Sequence, residues 1–91
     1  MDDETLVLYG YVISSSYRTK SIKALKNGEE TPTKIANYAD IKVNHSSKVL
    51  RELKEKNIAV CINEEERKNR IYKLTSIGQE IADYIDWKYC R

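Results

Sequence analysis

Pro32 is the only proline in the 91-residue chain, and Thr31 stands directly before it. A threonine hydroxyl caps a helix N-terminus, and proline suits the first helical position because an N–H there would go unused. Just upstream, Asn27-Gly28 is a helix stop, since glycine takes the left-handed conformation without steric cost. The middle of the chain therefore reads as a helix over about 16–27, a short break, and a short helix from Pro32 to about Ala39. Ser14-Ser15-Ser16 supplies hydroxyls to cap the first of these. Ile22 and Leu25 face inward there, with Arg18, Lys20, Lys23 and Lys26 solvated.

Asp40 to Val43 makes a tight connection, and Asn44 is placed to cap a third helix running to about Lys56. Ser46, Val49, Leu50 and Leu53 recur at helical spacing and mark its inner stripe. Asn57 closes it in the left-handed conformation. Residues 58–62 are β-rich, residues 63–69 are polar throughout, and residues 70–74 alternate, which reads as a hairpin. Thr75 or Ser76 then caps a last helix to about Tyr89, with Ile77, Ile81, Tyr84 and Ile85 on one face. The dense apolar run from Glu4 to Ile13 reads as a helix, with a strand as the alternative. A short helix, a brief turn and a longer amphipathic helix form a helix-turn-helix unit, and the hairpin behind it forms a wing. The expected fold is a mostly helical winged helix-turn-helix: a three-helix core, a β-hairpin wing and a C-terminal helix, in one domain over 1–91.

Composition narrows the chemistry. Cys61, Cys90 and the lone His45 are scattered, and a structural zinc site wants four such ligands. No nucleophile has a base beside it, and no phosphate loop is present, so no catalytic site, metal or cofactor is expected. The two cysteines read as reduced thiols rather than a disulfide. No apolar run approaches the roughly 20 residues of a membrane span. The acidic start Met1-Asp2-Asp3-Glu4 is unlike a secretory leader. A cytoplasmic location is expected. Charge is uneven: residues 17–62 hold ten Lys/Arg against five Asp/Glu, while the first sixteen residues carry three acids and no base. That places a basic face between acidic ends.

Three segments resemble a known family. They are Tyr17-Arg18 with Gly28 to Ala36, Ser47 to Ile58, and Arg70-Ile71-Tyr72-Lys73-Leu74-Thr75-Ser76-Ile77-Gly78. Taken in order, they are similar to archaeal winged-helix regulators of the MarR-like and ArsR-like group. The resemblance implies DNA binding as a dimer, often with effector sensing. Ser46 and Ser21 stand where the family favours apolar residues, and Asn69 stands at the wing tip where glycine is usual. The Cys/His clusters of metal-sensing members are absent.

On a helix wheel of the third helix, Asn44, Lys48 and Arg51 point away from the core, with His45 and Ser47 on the flanks. These five are the candidate base-reading residues of a recognition helix over 44–56 in the major groove. Thr33, Lys34 and Lys42 are candidate phosphate contacts. In the wing over 63–70, Arg67, Lys68 and Arg70 would reach flanking backbone or the minor groove, with Glu64-Glu65-Glu66 cutting against them. An Arg51–Glu55 pair would instead neutralise the helix face locally. Tyr72 reads as a strand-packing residue.

The stretch Leu6 to Ile13, and Ile81, Tyr84, Ile85 and Trp87, read as apolar patches that a three-helix core cannot cover. Residues 1–15 and 76–91 are therefore expected to build a two-fold homodimer. The competing reading is a winged-helix protein-interaction module of a larger assembly, which the glutamate run and a modest pI of about 8.5 favour.

Overall fold

The computed structural model describes the backbone of residues 2–89 and the side chains of 2–86. Along the chain lie α1 (Asp3–Ile13), α2 (Ser16–Lys26), α3 (Pro32–Ala39), α4 (Val43–Glu55), β1 (Ala59–Cys61), β2 (Tyr72–Leu74) and α5 (Ser76–Tyr89). This is a winged helix-turn-helix. The dense N-terminal run is a helix, started by Asp2, whose carboxylate accepts from the Thr5 amide at 2.8 Å. Ser15 caps α2 and Thr31 caps α3 through their hydroxyls. Thr75 caps α5, accepting from the Gly78 amide at 3.1 Å.

One helix start differs from expectation. The N-cap of α4 is Lys42, which makes no side-chain capping bond, so the helix begins at Val43 and Asn44 lies within its first turn. Asp40 ends α3 in the left-handed conformation, and the Ile41 amide reaches back to Ala36 O at 3.0 Å. That closure turns the chain within two residues, so α4 starts directly after Ile41-Lys42 and Asn44 falls inside the helix. Asn57 does take a left-handed φ of 61° after α4, and Asn69 one of 56° in the wing.

β1 and β2 pair antiparallel, with Ala59 opposite Leu74 and Cys61 opposite Tyr72. A third partner was not foreseen. Glu30, just before α3, exchanges both backbone hydrogen bonds with Tyr72 at 3.0 and 2.9 Å. The helix-turn-helix is thereby fastened to the edge of β2 opposite β1.

Ile22, Ile35, Leu50, Leu53, Ile58, Ile81 and Ile85 fill the core at no exposure, with Val12 beside them. Burying each such side chain contributes on the order of 1.5–3 kcal/mol. Ile81 and Ile85 therefore do not form the exposed patch expected of them. α1 and α5 pack against each other and against α2, so the core draws on more helices than three. Tyr84 is half-buried, its ring edge-on to Tyr9 at 4.9 Å. The Trp87 side chain and Cys90 lie outside the described residues. Cys61 is a buried free thiol.

Two cations of α2 also depart from the solvated role. The Arg18 guanidinium lies 3.9 Å over the Tyr11 ring and 3.4 Å from the Glu52 carboxylate, joining α1, α2 and α4. Lys26 pairs with Asp86 and, at 3.2 Å, with Asp83 of α5. The Asp86 contact holds the Lys26 ammonium above its ordinary pKa. The Asp83 carboxyl is held below its own, by Gln79 first and Lys26 second.

Candidate nucleic-acid interface

The outward face of α4 is flanked by two depressions. One is an open groove of about 500 Å³ between α4, the start of α3 and the wing. It collects Thr33 from α3, Ser47 and Arg51 from α4, and Arg67, Lys68 and Arg70 from the wing. Six of the eleven residues singled out in the sequence thus share one groove, though they span 38 positions along the chain. The second depression, against the start of α2, takes in His45 and Lys48 together with Tyr17, Arg18 and Glu52. Asn44, Lys34 and Lys42 are exposed around the same end of the molecule but line neither depression.

The cations at this surface differ from those that brace the fold. Arg18, Lys26 and Lys54 are paired with carboxylates. Among the described residues, no salt bridge holds Lys34, Lys42, Lys48, Arg51, Arg67 or Lys68. The Arg51–Glu55 pair that would have neutralised α4 does not form. Leaving several cations unpaired on one surface raises the local positive potential, and that favours a polyanion.

The wing has its own internal frame. Arg70 donates to the backbone oxygens of Glu66 at 2.8 Å and Glu64 at 3.3 Å. Asn63 accepts from the Ile71 amide at 2.7 Å and donates to Asn69 O at 3.2 Å. Lys54 of α4 pairs with Glu64 across the hairpin base. That pair holds the Glu64 carboxyl below its usual pKa and the Lys54 ammonium above its own. So one glutamate of the acidic run is spent on tethering the wing to α4, while Glu65 and Glu66 remain exposed. Arg70 turns onto the wing backbone, whereas Arg67 and Lys68 stay exposed.

Four participants escaped sequence reasoning. Val43 lines this groove at 45% exposure, and was missed because the helix cap was placed at Asn44, two residues beyond Lys42. Lys54 and Asn63 carried no local signal, since their partners lie ten and six or eight residues away. Tyr17 stacks on His45 with ring centroids 5.6 Å apart, a contact between α2 and α4 that no spacing rule exposes.

No known sequence family and no curated protein sequence matches the chain. Solved structures match the fold. HlyU from Vibrio cholerae N16961 superposes with a TM-score of 0.80 at 14% identity, covering 100% of both chains. Mb0332 from Mycobacterium bovis, described as a homodimeric winged helix-turn-helix DNA-binding domain and a possible ArsR-family transcriptional regulator, matches at TM-score 0.70 and 17% identity. That match covers 99% of this chain and 85% of the other. The MarR family transcriptional regulator SPO1453 from Silicibacter pomeroyi DSS-3 matches at 0.73 and 8% identity, over 94% and 64% of the two chains. At such identities the likeness is one of fold. No helix among the described residues is long and apolar enough to cross a membrane.

Proposed function

We propose that this chain binds double-stranded DNA sequence-specifically as a homodimer and acts as a cytoplasmic transcriptional regulator. In this reading α4 lies in the major groove, where Asn44, His45, Ser47, Lys48 and Arg51 face base edges. The wing over 63–70 rests on flanking backbone or the minor groove through Arg67 and Lys68, with Arg70 chiefly shaping the wing. Thr33, Lys34 and Lys42 contact phosphate, which fixes register without reading sequence. The observation that carries the reading is the groove in which Arg51, Arg67 and Lys68 converge without a salt-bridged carboxylate. The homodimeric DNA-binding domain and the MarR family regulator among the structural neighbours support it.

The test is fluorescence-anisotropy binding to a random duplex pool at several salt concentrations, followed by enrichment sequencing. Affinity should fall with salt at a log–log slope of about −0.9 for each phosphate neutralised. Arg51→Ala should flatten discrimination between sequences, and Lys34→Ala should weaken all sequences alike. A protein-interaction module, the reading that exposed Glu65 and Glu66 favour, would show no salt-sensitive duplex binding and would tolerate charge reversal on α4.

A further inference from the structure

We infer that Val43 is a specificity-determining residue that reads the methyl group of a thymine, an inference that rests on the DNA-binding reading above. Val43, Ser47 and Arg51 lie four residues apart in succession, so they form one stripe along α4 and line the same groove. The stripe runs from a branched apolar side chain at the helix start, through a hydroxyl, to a guanidinium. Val43 occupies the first helical position of α4, and the N-terminal part of a recognition helix is the part that meets base edges.

An exposed valine alone is unremarkable. Its neighbours set this one apart: the groove is otherwise lined largely by hydroxyls and cations, and Val43 is 45% exposed among them. Phosphate offers nothing to such a side chain. In the major groove, thymine alone among the four bases presents a methyl group, and apolar side chains contact it. The other bases would set an amino group or a ring nitrogen against the valine, leaving a polar group dry and unpaired. Val43 therefore selects for thymine and against its competitors, while Arg51 one stripe-length away donates to guanine.

The experiment uses the full chain and the duplex it enriches from a random pool. Each thymine of that site is replaced in turn by deoxyuridine, which removes only the C5 methyl and keeps the hydrogen-bonding edge. At one thymine per half-site the wild-type chain should lose affinity about fourfold, the effect of leaving one methyl group in water. Val43→Asn, which replaces the apolar side chain with a polar one, should bind thymine and deoxyuridine equally at that position while keeping its discrimination elsewhere. Val43 is exposed, so this variant should melt at the wild-type temperature. Equal affinity for thymine and deoxyuridine at every position overturns the inference and leaves the DNA-binding reading standing. So does a Val43→Asn variant that still prefers the methylated base. Absence of salt-sensitive duplex binding overturns both together.

Discussion

Two serines sit at no exposure in the core, and they differ in one respect. Ser46 donates its hydroxyl to Pro32 O at 2.9 Å and so fixes the start of α3 against α4. The Ser21 hydroxyl has no hydrogen-bond partner, and a buried hydroxyl without one costs stability. Ser21→Ala should therefore raise stability by about 1 kcal/mol, and Ser46→Ala should lower it by about 1 kcal/mol by removing a satisfied buried hydrogen bond between α3 and α4. Urea unfolding midpoints measure both, and shifts of the same sign would refute the distinction. From the sequence both serines look like the same polar intrusion. Only the fold separates them, because the acceptor for Ser46 lies fourteen residues away. Gly78 is a further residue whose reason is tertiary: a Cβ there would sit 2.1 Å from Ile58 O. Gly78→Ala must push the start of α5 away from the Ile58 backbone, with a loss of about 1–3 kcal/mol in the same measurement.

At the scale of elements, helix boundaries were legible because capping is local. Ser15, Thr31, Asn57 and Thr75 act within a few residues of themselves. The exception, the start of α4, is a helix capped by no side chain at all. The wing was legible as a hairpin but not as a braced one, because Lys54–Glu64 and Glu30–Tyr72 join distant segments. The candidate site was visible as a set of residue types on helix faces, while its division into two depressions depends on how the wing and α2 flank α4. The brace has a pH signature. The Glu64 carboxyl is held below its ordinary value of 4.5, so its contribution is present above that pH and is lost as pH falls through the lowered value. The Lys54 ammonium, held above 10.5, keeps its contribution below that pH and loses it only in stronger alkali. The protection of amides in residues 63–70, taken as exchange relative to the intrinsic rate at each pH, should fall in the wild-type chain as pH drops through the lowered Glu64 value. Glu64→Gln should show the lower protection already at neutral pH. Identical acid profiles for the two proteins would remove the brace from the account of the wing.

At the scale of the whole molecule, the question is what covers α1. Leu6, Val7 and Ile13 are 46%, 72% and 39% exposed, and with Gly10 they fall on one face at helical spacing. α5, expected to share this role, spends Ile81 and Ile85 on the core. The proposed dimer therefore rests on α1 more heavily than the sequence implied. Gly10 sharpens the case. Glycine inside a helix costs about 1 kcal/mol relative to alanine, and a Cβ at position 10 would meet nothing within 4 Å in this chain. The monomer thus gives no packing reason for glycine there, whereas a second helix crossing at that point would. Gly10→Ala should act with opposite signs on two quantities. Thermal unfolding at concentrations low enough to dissociate the dimer should show a more stable fold. Sedimentation velocity across a micromolar dilution series should show weaker association, and Val7→Glu should abolish it. DNA binding should follow association: a site with both half-sites should lose affinity, and a single half-site should not. Unchanged association in Gly10→Ala and Val7→Glu would move the two-fold axis off α1.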